Sequence, residues 1–387
     1  MLLEDDIADA LRGGAAMAVS VGLGRFSVGL LLEPMRSGLS LTYTQAGLIA
    51  TTNLACYLTG VIATPRLARR WGYSLLMRAG LALVLLSFVL LATTPGLFVA
   101  LVGGASAGFA GAFAWLSMAA LGSASARKGR RGLLLGVAGA SVGGGIIAAS
   151  LIGIVFDGPG GVDWRSAWAV QAGIAAVALL LIGKGRHPGQ PTTPRAPVLR
   201  LPGFWRLAIA YCAFGLGYVV FATYVVAAAL GDDPSFSRGA LVWLAFGMGA
   251  LPGGIGLGAL SDRLGRRPVL VAMQIAGAAA CMLVVADVRG LPAAALVAAP
   301  LMGATTTGMT GLVPASLADV FPKDSVGDIF ATLTLFLASA QAIGPTIAGA
   351  ARDSTGSFSL VFAGAAMAFV VAGWGFWGLH SLQARKT

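Results

Sequence analysis

Twelve apolar runs, each about twenty residues long, occupy most of this 387-residue chain. A helix needs about 20 apolar residues to cross the ~30 Å hydrocarbon layer of a membrane. Hydrophobic residues make up 57% of the chain and charged residues only 11%, which is far from the composition of a water-soluble domain. We therefore predict an all-α membrane protein whose transmembrane helices lie at residues 13–35, 44–65, 74–94, 97–122, 132–156, 165–183, 203–230, 239–261, 268–286, 291–316, 328–350 and 358–380.

The chain repeats its own landmarks at an offset of 193 residues, which is half its length. A charged hinge between two apolar runs contains Gly265, and a matching gap ends at Gly72, 193 positions earlier. The same offset aligns a second pair of motifs, Gly22-Leu23-Gly24-Arg25 and Gly215-Leu216-Gly217-Tyr218. The duplication predicts two pseudo-symmetric six-helix bundles joined by a polar, proline-rich linker, with boundaries at 1–183, 184–202 and 203–387.

Basic residues are concentrated at one end of the predicted helices. The termini, the linker and the loops on their side hold most of the 26 Lys and Arg residues. The opposite ends hold only Arg36, Arg165, Arg238, Arg289 and Arg352. By the positive-inside rule, both termini and the linker are cytoplasmic, in a multi-pass protein of the cytoplasmic (inner) membrane. This placement favours the lipid bilayer over a nucleic acid as the partner of the +11 net charge.

The sequence lacks the motifs of several enzyme classes. Gly104-Ala105-Ser106-Ala107-Gly108 has the spacing of a serine hydrolase motif, but it lies inside an apolar run, far from the two histidines. No nucleotide-binding P-loop occurs, and no Cys/His cluster has the spacing of a zinc site. We therefore expect no enzyme activity, no metal and no cofactor, and we expect transport to use ion or solute gradients, with proton coupling as an option.

The hinge string Gly258-Ala259-Leu260-Ser261-Asp262-Arg263-Leu264-Gly265-Arg266-Arg267-Pro268 resembles a signature of the major facilitator superfamily. The resemblance implies two bundles that rock around a central cavity between inward-open and outward-open states. It also implies conformational roles for Gly258, Asp262, Arg263 and Arg266, and for the glycine-rich or Gly-Pro segments at Gly144, Gly344 and Pro345. The first half departs from the signature, because Arg69 occupies the position of the acidic residue.

Shorter motifs give a second resemblance, to the YbfB/YjiJ branch of the superfamily. They are Gly22-Leu23-Gly24-Arg25-Phe26, Leu31-Leu32-Glu33-Pro34-Met35 and the stretch from Tyr211 through Tyr224. The superfamily resemblance also implies a monomer with a small-molecule substrate.

Arg25 is the residue that most constrains the substrate. It lies 12 residues from Gly13 and 10 from Met35, so it is roughly 15 to 18 Å from either end of its helix. A guanidinium at that depth costs several kcal/mol unless it meets water or an opposite charge. All 15 acidic residues lie at the N-terminus, in loops or near helix ends. Arg25 therefore indicates an anionic guest, and the alternative is a structural clamp between helices.

Further polar and aromatic residues are predicted to line the cavity. Tyr218 is the repeat equivalent of Arg25, and Tyr211 is seven positions earlier on nearly the same helical face. The other candidates are Asn53, Tyr57, Trp115, Thr306, Thr310 and Gln341. Taken singly, each of them is more often a helix-packing residue than a ligand contact.

These observations predict a secondary active transporter that moves a small organic anion of the carboxylate type by alternating access. The alternative is broad-specificity efflux of amphipathic compounds, which Trp115, Trp243 and the methionine-rich runs favour. A non-transporting membrane sensor is a third interpretation, but the chain lacks a further soluble domain to report a signal.

Overall fold

In the computed structural model, twelve long helices, which we number α1 to α12 in chain order, make up nearly all of the described residues. The structure describes residues 12–125, 131–158, 161–182, 198–231, 236–291, 293–321 and 323–378. Within these residues the helices are Arg12–Gly38, Tyr43–Trp71, Tyr73–Thr93, Leu97–Ser125, Arg131–Val155, Trp164–Leu181, Phe204–Leu230, Ser237–Leu264, Arg266–Val288, Ala294–Val320, Lys323–Thr355 and Phe358–Trp377.

Each predicted run has its helix, which confirms the predicted all-α class. Ten helices in the described part of the chain are long and apolar enough to cross a membrane, and α8 is an eleventh when its bent halves are counted as one span. The described side chains of α5 begin only at residue 140. Within the described side chains, the apolar segment Ala140–Val155 of that helix is too short to be counted as a span. The helix count is therefore consistent with twelve spans.

The charged hinges are shorter than the sequence suggests. The predicted spans end at residues 65 and 261, but α2 and α8 continue as helix to Trp71 and Leu264. Basic side chains in the last turn, such as Arg69 and Arg263, favour this because cations stabilise the carbonyl end of a helix. A single glycine then connects each pair of helices.

Those two connecting glycines have the same backbone conformation. Gly72 has φ 78° and ψ 154°, and Gly265 has φ 90° and ψ 150°. A side chain at such positive φ would be strained, so glycine is the residue suited to this sharp turn. Because the two positions are 193 residues apart in the printed sequence, the same turn is built twice.

The two six-helix halves contact each other mainly through α2 with α11 and α5 with α8. At Gly47 of α2, an added Cβ would lie 2.5 Å from the carbonyl oxygen of Pro345 in α11, so glycine permits this close approach. The contacts between halves among the described residues lie at mid-helix or toward one end of the molecule. We call that end the far face; among the described residues it contains the connections at 39–42, 94–96, 156–158, 161–163, 289–291 and 356–357, the end of α7 at Gly231 and the start of α8 at Ser237.

A small hairpin joins α5 to α6 at the far face. Its strands, β1 (Asp157–Gly158) and β2 (Gly161–Val162), pair antiparallel over two residues each. The helix that follows is capped by Asp163, which accepts hydrogen bonds from the hydroxyl and the backbone N–H of Ser166. These hydrogen bonds lower the pKa of the Asp163 carboxyl, because they stabilise its charged form.

The predicted linker at 184–202 lies outside the described residues over 184–197. The three predicted segment boundaries therefore stay a prediction.

Gly303→Val tests the close packing of α10 on α8 within the second half. A Cβ at Gly303 would lie 2.0 Å from the carbonyl oxygen of Phe246 in α8, so α10 could not stay at its present distance. We expect a loss of about 1–3 kcal/mol in stability, measured as a lower melting temperature of the purified protein. The matched control is Gly364→Val, because a Cβ there meets nothing within 4 Å. Equal melting temperatures for both variants would contradict this packing.

Candidate functional site

A cavity between the two halves has Arg25 in its wall. Its volume is about 30 Å³, close to the share of one water molecule in the liquid. The cavity is lined by residues of α1, α2 and α7, including Arg25, Asn53, Tyr218, Phe26, Ala222 and Thr223. Arg25 and its repeat equivalent Tyr218 thus face the same space from opposite halves of the molecule. The space is large enough for water and too small for an organic solute.

Arg25 makes two contacts in the described structure. Its Nη2 donates a hydrogen bond of 2.8 Å to Oε1 of Gln341, which lies in α11 of the other half. Its guanidinium also lies over the ring of Tyr57 in α2, with the central carbon 5.0 Å from the ring centroid. Both partners are electrically neutral. They accept one hydrogen bond from the guanidinium and place a ring face against it, but they do not neutralise its positive charge.

A wider helical turn precedes Arg25. Residues Ala18–Leu23 form a π-helical segment, and the regular α-helix resumes at Gly24. Such segments change the direction in which the following side chains point, and they are frequent at functional sites. The sequence pattern did not predict this segment.

Carboxylates near the ends of the helices have other partners. Glu33 binds Arg36 with a closest distance of 2.6 Å, and Asp287 binds Arg238 at 2.5 Å. No carboxylate in the described part of the chain forms an ion pair with Arg25. The interface between the halves therefore carries a net positive charge at mid-helix.

Asn53 adds a second hydrogen-bond donor to this cavity. Its side chain is 3% exposed, and its Nδ2 has no hydrogen-bond partner among the described residues. A buried amide N–H without an acceptor is unfavourable by about 1–3 kcal/mol. A guest that presents an acceptor to Asn53 would recover that free energy.

The structure brings five predicted site residues together and leaves four apart. Arg25, Asn53, Tyr57, Tyr218 and Gln341 are joined by the cavity and by the contacts of Arg25. Tyr211 is stacked against Phe214 and lines a separate small apolar cavity. The remaining predicted residues have no described contact with Arg25; they are Trp115, Thr306 and Thr310.

The predicted conformational residues of the hinge lie within the second half. Arg266 binds Asp319 at 2.7 Å and Asp262 at 3.4 Å, whereas Arg263 has no described partner. Added Cβ atoms at Gly258 and Gly144 would meet nothing within 4 Å. Arg69 is exposed at the end of α2. The roles of these residues in gating stay a prediction.

The Gly-Pro segment of α11 lies against the first half of the molecule and against α7. A Cβ at Gly344 would lie 2.8 Å from the side chain of Val219, and the carbonyl oxygen of Pro345 accepts a hydrogen bond of 2.8 Å from Tyr224. At the next residue, the hydroxyls of Thr346 and Thr51 are 2.8 Å apart across the interface. Sequence reasoning missed this threonine pair, because its members are 295 positions apart and neither belongs to a recognisable motif.

The cavity contains no set of groups that suggests catalysis. Within the described residues, no group of three or more His, Cys, Asp and Glu side chains could hold a metal ion. The arrangement of two donors, a cation and aromatic rings can bind and release a polar guest.

Gln341→Met tests whether Arg25 depends on its amide partner. The substitution keeps the volume but leaves a half-buried guanidinium without its acceptor, so we expect stability to fall by about 1–3 kcal/mol. The matched control is Gln171→Met, because the buried amide of Gln171 has no described hydrogen-bond partner. Melting temperatures of the purified variants should fall for Gln341→Met and stay equal or rise for Gln171→Met. The reverse order would contradict the described pairing.

Comparison with known proteins identifies the family. The model of the family described as "Uncharacterised MFS-type transporter YbfB" matches residues 17–375, which is most of the chain. No curated protein sequence matches the chain.

Two solved structures share the fold. The crystal structure of a D-xylose-proton symporter is similar with a TM-score of 0.73 and 14% identity, over 96% of this chain and 97% of that one. A bacterial homolog of the human lysosomal transporter Spinster, in an inward-facing and occupied conformation, is similar with a TM-score of 0.74 and 14% identity, over 99% and 97%. At this identity the likeness shows the fold alone. The chain belongs to the YbfB family of the major facilitator superfamily, and it is a membrane transporter rather than an enzyme.

Proposed function

We propose that this transporter moves a small organic anion of the carboxylate type by gradient-driven alternating access, with Arg25 as the charge anchor. The observation that carries the proposal is the contact set of Arg25, which consists of a neutral amide and a ring face. A permanently charged group at mid-membrane is costly unless an opposite charge is near. An anionic guest supplies that charge each time it binds.

The chemistry of the donors fits a carboxylate. A guanidinium presents several N–H groups in one plane, which matches the two oxygens of a carboxylate. Oε1 of Gln341 occupies one of these N–H groups in the structure, so a guest would replace an acceptor that is already there. The spare N–H of Asn53, in the same cavity wall, would donate a hydrogen bond to a further oxygen of the guest.

The absence of a mid-membrane carboxylate in the described residues also bears on coupling. Exchange of a proton for a cationic compound requires an ionisable acid in the cavity. The cavity lining contains none, which disfavours proton-driven export of cations. A proton that accompanies the substrate would then travel on the carboxylate itself, and exchange or facilitated diffusion are the other modes.

The aromatic residues that favoured efflux of amphipathic compounds are only partly available to a guest. Trp243 is fully buried and stacks on Phe246, so it packs the interface and lies away from open space. Trp115 is 36% exposed. Efflux of cationic or amphipathic compounds is therefore the competing outcome of the transport experiment below.

The proposal also includes the oligomeric state, the membrane and the orientation of the protein. We place the protein as a monomer in a cytoplasmic (inner) membrane, with both termini and the linker in the cytoplasm and the far face outside. The distribution of basic residues in the sequence supports this orientation.

Transport by the purified protein in proteoliposomes tests the proposal. Radiolabelled mono- and dicarboxylates, phosphate esters and cationic dyes are offered to the wild-type protein, and we expect flux of a carboxylate. Arg25→Gln should then lower that flux at least tenfold, because the anchor charge is lost, and Arg25→Lys should retain part of it. Arg165→Gln is the control, since Arg165 binds carbonyl oxygens of Ala92 and Thr94 far from the cavity. Flux of dyes without flux of any acid would favour the efflux interpretation.

Asn53→Asp tests the charge argument with a nearly isosteric change. The new carboxylate would share the cavity with Arg25 and act as a built-in counter-ion. We expect it to lower carboxylate flux about tenfold or more and to raise the melting temperature, because the ion pair stabilises the empty site. Asn53→Ala is the control, which removes the donor without adding charge and should reduce flux less. Undiminished carboxylate flux through Asn53→Asp would contradict the proposal.

A further inference from the structure

Two carboxylates at the far face, Asp157 and Asp353, each bind the start of a helix in the opposite half. We propose that they form a pair of symmetry-related locks that hold the far face closed and that must open before the cavity can face that side. This inference concerns the transport cycle and does not depend on the identity of the substrate.

The first lock joins α11 to α2. Oδ1 of Asp353 accepts a hydrogen bond of 3.0 Å from the backbone N–H of Tyr43. Oδ2 accepts hydrogen bonds from the backbone N–H of Thr44 at 2.8 Å and from its hydroxyl at 2.6 Å. One carboxylate of the second half thus holds three donors in the first turn of a helix of the first half.

The second lock joins the loop after α5 to α8, in the opposite sense. Oδ1 of Asp157 accepts a hydrogen bond of 3.3 Å from the backbone N–H of Phe236. Oδ2 accepts a hydrogen bond from the hydroxyl of Ser237. Here the carboxylate belongs to the first half and the helix start belongs to the second half.

The two sets of donors are equivalent in the internal repeat. Adding 193 to positions 43 and 44 gives 236 and 237, so Tyr43 corresponds to Phe236 and Thr44 to Ser237. In both locks, Oδ1 binds the backbone N–H of the first residue, and Oδ2 binds the hydroxyl of the second. The carboxylates are offset by three positions, about one helical turn, since Asp157 corresponds to position 350. The duplicated chain therefore builds the same contact on both sides of its pseudo-twofold axis.

Ordinary helix capping does not account for the first lock. Helix α2 already has its own cap, because Thr42 accepts the N–H of Gln45 and the side chain of Gln45 binds back to Thr42. Helix α6, at the same face, is capped by a nearby residue of the chain, because Asp163 accepts hydrogen bonds from Ser166 three residues later. Asp353 instead reaches its donors across the interface, from 309 and 310 positions away.

Both locks act on the same movement, which is the separation of the two halves at the far face. A carboxylate at the start of a helix is stabilised by the unpaired N–H groups and by the helix dipole. Separation of α2 from α11, or of α5 from α8, at the far face removes those donors. Both locks therefore favour the same state, in which the far face is closed, and weakening either one should shift the equilibrium toward the state open at that face.

Distances between spin labels across the far face measure this equilibrium. The background replaces the three cysteines, Cys56, Cys212 and Cys281, by alanine and carries labels at Ser37→Cys and Leu291→Cys, which are exposed positions in different halves. In lipid, Asp157→Asn and Asp353→Asn should each raise the ratio of long to short distances about fivefold, and the double variant about 25-fold if the locks are independent.

The matched control is Asp163→Asn, which removes a carboxylate with the same kind of hydroxyl and N–H partners from the same face, but within one half. We expect no change in its distance distribution. Thr44→Ala with Ser237→Ala weakens both locks from the donor side without changing the charge, so it covers the case in which the aspartate variants fold poorly. Distributions that stay at the wild-type ratio in the folded lock variants, or that shift equally in Asp163→Asn, would overturn the proposal.

Discussion

An arginine at mid-membrane without a carboxylate partner is the constraint on which the rest of the molecule depends. Arg25 lies between the two halves, where it binds the amide of Gln341 from one half and the ring of Tyr57 from its own. These neutral partners contribute roughly 1–3 kcal/mol each, which offsets part of the several kcal/mol that burial of the charge costs. We propose that a bound anion offsets the rest of this cost.

The closed far face and the charged site complement each other. The cavity around Arg25 is about 30 Å³, so an organic guest enters only when the halves move apart. Close packing of α2 on α11 and of α5 on α8 holds the far face together, and each contact ends in a carboxylate bound to a helix start. A guest that displaces Gln341 from Arg25 would remove a link between the halves at mid-helix, near the centre of the same interface.

Sequence alone predicted what depends on local pattern. Runs of apolar residues predicted the helices, and the depth of Arg25 in its run predicted that it contacts the substrate, which stays a prediction. Pairings across the duplicated halves could not be predicted, because Arg25 and Gln341 are 316 positions apart and Asp353 and Tyr43 are 310 apart. The π-helical segment at Ala18–Leu23 has no pattern in composition that would reveal it. In the sequence, Asp157 and Asp353 look like ordinary acidic residues of loops or helix ends. Only the fold shows that they bind donors in the opposite half.

The most direct test of the account is an experimental structure of the protein with the carboxylate that it transports best. We predict that a carboxylate oxygen will lie within hydrogen-bond distance of the Arg25 guanidinium, in the place that Oε1 of Gln341 now occupies. A structure in which the carboxylate binds elsewhere, while Arg25 keeps its bond to Gln341, would contradict the central claim that the guest supplies the missing charge.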